Sequence, residues 1–98
     1  MADSFPDLLQ RFFADYLPRQ RSFSAHTICA YRDTFRLLLP FLSTRLRKPI
    51  DQLALAALSP EAILAFLDHL EVVRQNKART RNHRLAAIRS FTRFVLNE

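Results

Sequence analysis

The segment Thr80-Arg81-Asn82-His83-Arg84-Leu85-Ala86-Ala87-Ile88-Arg89-Ser90-Phe91-Thr92-Arg93-Phe94-Val95 decides the fold class. At about 100° per residue it places Leu85, Ile88, Phe91, Phe94 and Val95 on one broad arc, with Asn82, Ala86, Arg89 and Arg93 together on another flank. The segment therefore reads as a helix with a packing side and a cationic side. By the same angular count Arg84 falls among the apolar positions, where it braces the packing or extends its guanidinium to the surface. Thr80 is the expected N-cap, and residues 75–79 before it form a short polar loop.

Working outward, Ser59-Pro60-Glu61 marks the start of another helix: Ser as N-cap, Pro in the first turn and an acid near the helix N-terminus. Its apolar set is Ile63, Phe66, Leu67, Leu70 and Val73. Asp68 and Glu71 take outer positions, so this helix should face away from any polyanion. Residues 50–58 are an apolar connector of ambiguous periodicity, with about one turn of helix. Further upstream, Ser24 caps a long helix whose Ile28, Tyr31, Phe35, Leu38, Leu39 and Leu42 form one stripe. Pro40 should kink that helix or end its regular part, before a basic turn at residues 45–49. Leu8, Leu9, Phe12, Phe13, Tyr16 and Leu17 recur at three- and four-residue steps, which predicts a first helix over residues 6–17 bounded by Pro6 and Pro18. A basic connector, Arg19-Gln20-Arg21-Ser22-Phe23, follows it.

Composition agrees with four helices in one domain. The chain has 98 residues, 49% of them hydrophobic and nine of them Phe, which suffices for a single core. It contains no Gly, the residue on which tight hairpins and phosphate-cradling loops commonly depend. There is no internal repeat, low-complexity tract or internal domain boundary. The single Cys29 excludes an intramolecular disulfide framework and fits a reducing compartment. Met1-Ala2-Asp3-Ser4 lacks a cationic leader and no apolar run approaches a membrane span, so a cytoplasmic protein without membrane contact is expected.

The net charge is +6, and 13 of the 15 basic residues are Arg, the side chain suited to bidentate contact with phosphates and guanine edges. The charge is segregated: −2 over residues 1–18, +6 over 19–48, −3 over 49–74 and +5 over 75–98. Two basic stretches divided by an acidic one suit a surface that meets nucleic acid. A solvated cationic surface is the plainer alternative.

Motifs for chemistry are scarce. His26 and Cys29 stand three apart on a helix, but His69 and His83 lie on other helices at spacings that match no zinc pattern; an exposed His and a partly buried thiol are expected, with no metal. There is no nucleophile elbow and no phosphate loop, and Asp33, Asp68 and Glu71 read as surface acids. Neither a complete enzyme nor a cofactor site is expected. Tyr16 and Tyr31 carry phenols able to act as nucleophiles, yet Tyr31 lies in an apolar stripe, with its ring in the core and its hydroxyl at the domain edge. The cationic helix carries more. Lys77, Arg79, Thr80, Arg81 and Asn82 surround free backbone donors that can receive a phosphate. Asn82, Arg89 and Arg93 share a flank with the small Ala86, which allows approach to base edges. On the long helix, Ser24, His26 and Thr27 cluster at the start with Arg32 and Arg36 on a flank; Ser24 and Thr27 as simple caps, and Arg32 paired with an acid, is the competing reading.

Ser24-Ala25-His26-Thr27-Ile28-Cys29-Ala30-Tyr31-Arg32, with Phe35 and Phe41-Leu42, followed by Thr80-Arg81-Asn82-His83-Arg84-Leu85-Ala86-Ala87-Ile88-Arg89-Ser90-Phe91, resembles the N-terminal core-binding domain of tyrosine recombinases, the phage-integrase family, over nearly the whole chain. The resemblance implies an all-α, four-helix SAM-like orthogonal bundle that forms one half of a C-shaped clamp around duplex DNA. Its second and fourth helices would lie against the DNA and its acidic third helix would be remote. The resemblance places Thr27, Tyr31 and Arg32 near the DNA backbone from the second helix, and Thr80, Arg81, Asn82, Arg84 and Arg89 from the fourth; Lys77, Arg79 and Arg93 join them from the reading of the residues.

In that family the catalytic Arg, His and Tyr belong to a second, C-terminal domain. Residues 1–98 are thus expected to be the core-binding domain alone, gripping a recombination site without cutting it, while its parent would cut DNA through a phosphotyrosine intermediate. Double-stranded DNA and, in a full-length recombinase, sister subunits are the expected partners, with the isolated domain a monomer. The alternatives are a helical protein-interaction module and a helix-turn-helix-type transcriptional regulator.

Overall fold

The computed structural model describes residues 4–20 and 22–97; residues 1–3, Arg21 of the basic connector and Glu98 lie outside them. The first helix, α1 (Phe5–Arg11), begins where Ser4 Oγ accepts a hydrogen bond from the Asp7 amide at 3.2 Å. Pro6 occupies the first turn, where its missing N–H removes no helical bond. The helix expected to run through residue 17 changes its winding instead: Phe12–Tyr16 is a single wide π turn, closed by the Leu17 amide on the Phe12 carbonyl, and Leu17–Arg19 is a 3-10 turn containing Pro18. Aromatic packing accompanies this change, with the Phe12 ring 5.0 Å from Phe13 and 5.8 Å from Tyr16.

The long helix α2 (Ala25–Leu46) starts at Ser24, whose Oγ accepts from the Thr27 amide at 3.1 Å. It continues through Pro40 to Leu46. Proline removes one helical hydrogen bond, but Leu38 and Leu42 on either side are fully buried and hold the helix in place. Two 3-10 turns, Ile50–Gln52 and Leu55–Ala57, then form the connector, with Leu53 between them anchored at 1% exposure. α3 (Pro60–Val73) begins at Ser59, whose Oγ accepts from the Ala62 amide at 3.1 Å. Its last turn overruns the bundle: Val73, expected in the core, is 63% exposed.

α4 (Ala78–Leu96) starts two residues before the expected Thr80. Lys77 is the N-cap, with extended backbone and no capping side chain, so Thr80 lies inside the first turn. A chain without Gly must also end its helices by other means. Arg47 after α2 and Gln75 after α3 take the left-handed conformation, at φ 55° and 52°.

One hydrophobic cluster joins all four helices, and every Phe belongs to it or packs against it. Phe91 of α4 is at its centre, its ring 5.5 Å from Phe5, 5.4 Å from Phe12 and 5.4 Å from Phe35. Each fully buried ring of this kind contributes roughly 1.5–3 kcal/mol relative to an exposed one. The fold is all-α, with no strand among the described residues. Among those residues no helix is long and apolar enough to cross a membrane.

Candidate nucleic-acid interface

Once Phe35, Phe91 and their neighbours bring α2 against α4, the N-terminal halves of the two helices leave a groove of about 540 Å3 between them. Thr27, Tyr31, Arg79, Thr80 and Arg84 line it. Five of the expected contact residues, from two helices far apart in sequence, thus converge on one surface. His26, Asp33, Thr34 and His83 line the same groove; spacing along either helix alone could not have paired them.

Arg84 is the most informative side chain there. It is half-buried, as its angular position implied, and its Nη1 donates to Thr34 Oγ1 at 3.4 Å. Thr34 is itself 2% exposed and donates its hydroxyl proton to the Ala30 carbonyl at 3.3 Å. The Arg84 Nε is shielded from solvent and has no hydrogen-bond partner among the described residues. Burial lowers the guanidinium pKa from its ordinary value, the nearby cation Arg74 adds to that effect, and Asp33 opposes it. Asp33 is in turn engaged by Arg36 Nη1 at 3.4 Å. The cation is thus partly desolvated and its Nε unpaired, with Asp33, shared with Arg36, as a partial counter-charge. Arg74, absent from the sequence-based set, does not line this groove and acts on Arg84 only through its charge.

A second, smaller groove of about 320 Å3 continues along α4, lined by Phe23, Tyr31, Asn82, Leu85, Ala86, Arg89, Ser90 and Arg93. Tyr31 and Ala86 belong to both grooves. The Tyr31 ring is half-buried and meets the Phe23 edge at 5.6 Å, so the phenol serves as a wall between the two spaces. Asn82, Arg89 and Arg93 are exposed on this flank, the arrangement that the helical angles predicted.

Three expected residues stand apart. Arg32 is exposed on the α1 side of α2, with its guanidinium 5.7 Å from the centre of the Phe13 ring, so an aromatic face, rather than the acid of the competing reading, is its neighbour. Lys77 is exposed at the N-cap of α4 and lines neither groove. Arg81 points to α3, where its Nη1 lies 2.8 Å from Asp68 Oδ1 and 2.9 Å from Glu71 Oε1. These two acids hold Arg81 more firmly charged than an isolated guanidinium. Cys29, expected to be partly buried, is exposed.

Comparison with known proteins places the chain in a family. Residues 9–98 match the family described as phage integrase, N-terminal SAM-like domain. The chain is similar to "Putative integrase/recombinase y4rC" of Sinorhizobium fredii, with 47% identity over 95 residues that cover 97% of this chain and 29% of that protein. It is similar also to "Putative integrase/recombinase y4rD" of the same organism, with 49% identity over 88 residues covering 90% and 31% of the two chains. The chain therefore spans about three tenths of the length of these relatives. No solved structure gives a significant match.

Proposed function

The chain belongs to the phage-integrase family, as its N-terminal SAM-like domain, and from that premise we propose that residues 1–98 are a DNA-binding domain that grips duplex DNA as one half of a recombinase clamp. The observation that carries this reading is the groove between α2 and α4, with Arg79, Thr80, Thr27 and Tyr31 around a half-buried Arg84 that forms no ion pair among the described residues and has Asp33 as a partial counter-charge. A phosphate oxygen there would pair with the Arg84 guanidinium, and the hydroxyls of Thr27 and Thr80 are suitable partners for the same backbone. The second groove, with exposed Asn82, Arg89 and Arg93 beside Ala86, is suited to base edges. Phosphate contacts supply most of the affinity, and the α4 flank supplies sequence preference.

In this reading DNA cleavage and rejoining belong to the rest of a full-length recombinase, and the domain acts in the cytoplasm as a monomer until sister subunits assemble on DNA. The measurement that tests it is a titration of the 98-residue chain against short duplexes over a range of salt concentrations. Affinity should fall steeply with salt, with a slope of log K against log [salt] near −0.9 for every phosphate engaged. Absence of any complex with duplex at low ionic strength would overturn the proposal.

A further inference from the structure

The cation of Arg81 is already engaged. Its Nη1 sits between Asp68 Oδ1 and Glu71 Oε1, at 2.8 and 2.9 Å, and its side chain is only 25% exposed. These acids lie one turn apart on α3, so a single guanidinium bridges that turn to α4. The bridge falls where α4 has least support of its own. Lys77 provides no side-chain cap, and the link from α3 passes through Gln75 in a left-handed conformation. The two preceding residues, Arg79 and Thr80, are in the same first turn and line the groove, whereas Arg81 leaves the helix on the side that meets α3. A phosphate approaching Arg81 would meet the like charges of Asp68 and Glu71 beside it.

We propose that Arg81 is a positioning residue: by tying the first turn of α4 to Asp68 and Glu71 of α3, it holds Arg79 and Thr80 on the DNA-facing groove without itself touching DNA. The inference rests on the DNA-binding reading above and assigns a use to the acids of α3, which otherwise oppose a polyanion. Asp68 and Glu71 are then part of what orients the basic surface.

The experiment compares the wild-type 98-residue chain with Arg81→Gln, the charge-balanced pair Arg81→Gln/Asp68→Asn, Arg81→Lys, and Arg89→Ala as a direct-contact reference. Each is measured for duplex affinity over a salt series and for amide hydrogen exchange at Asn82, His83 and Arg84, below the unfolding temperature of every variant. Positioning predicts that both Gln variants exchange these amides about three- to tenfold faster and bind about three- to tenfold more weakly at every salt concentration, with a slope parallel to wild type. Arg81→Lys keeps a cation between the carboxylates and should restore most of the affinity. Arg89→Ala, on the flank suited to base edges, should weaken binding and leave the exchange unchanged. Loss of about 0.9 in the slope for the Arg81 variants, or unchanged amide exchange in them, overturns the proposal. If the wild-type chain binds no duplex, the DNA reading fails, while the exchange measurement still decides whether Arg81 holds the turn.

Discussion

Arg84 of α4 donates to Thr34 of α2 across 3.4 Å, joining the only buried polar side chain among the described residues to a cation whose Nε has no partner there. The contact joins two helices at the floor of the groove and leaves positive charge in excess. Stability and function oppose each other at such a site.

Arg84→Met should therefore separate the two. An apolar side chain of similar reach removes the desolvated charge, and urea unfolding should show a gain of about 1 kcal/mol. Duplex affinity should fall at the same time, with a salt slope shallower by about 0.9. A variant that loses stability and keeps its affinity would show that Arg84 serves packing alone.

Location, rather than total charge, should govern binding. Arg89→Ala and Arg45→Ala each remove one Arg, but Arg45 lies 18 residues beyond Thr27 on α2, about 27 Å along the helix axis. The first substitution should weaken duplex binding roughly tenfold, or about 1.4 kcal/mol, and the second less than about twofold. Equal losses would indicate a diffuse cationic surface with no specific face.

Gln75 holds φ at 52° between α3 and α4. Non-glycine residues in that conformation are disfavoured by roughly 1–2 kcal/mol, part of which Gly returns through its larger unfolded-state entropy. Gln75→Gly should raise stability by about 0.5–1 kcal/mol, and Gln75→Val should lower it by about 1 kcal/mol. Thermal or urea unfolding measures both.

Two apolar positions that the sequence pattern treats alike should respond very differently. Phe91 is fully buried against four other rings, and Phe91→Ala should cost roughly 3–5 kcal/mol, a large share of the stability of a domain of this size. Val73 is 63% exposed, and Val73→Ala should change stability by less than about 0.5 kcal/mol. Circular dichroism during urea titration distinguishes the two.

Sequence alone determined what depends on local periodicity and on charge. The Ser24 and Ser59 caps, the apolar sides of α2 and α4, the half-buried state of Arg84 and the exposed flank of Asn82, Arg89 and Arg93 all follow from angles within one helix. The start of α4 was less legible, because Lys77 caps it through backbone conformation without a side-chain bond.

Only tertiary packing decided how the charges are distributed between helices. By its angle Arg81 also falls between Leu85 and Ile88, a signal that it meets another helix, but only the placement of α3 supplies Asp68 and Glu71 as its partners. The joining of Thr34, His26 and Asp33 to Arg79, His83 and Arg84 in one groove likewise depends on the approach of α2 to α4. Helical period is a property of neighbouring residues; the field at a phosphate-sized space comes from groups brought together by the core, which a linear pattern does not specify.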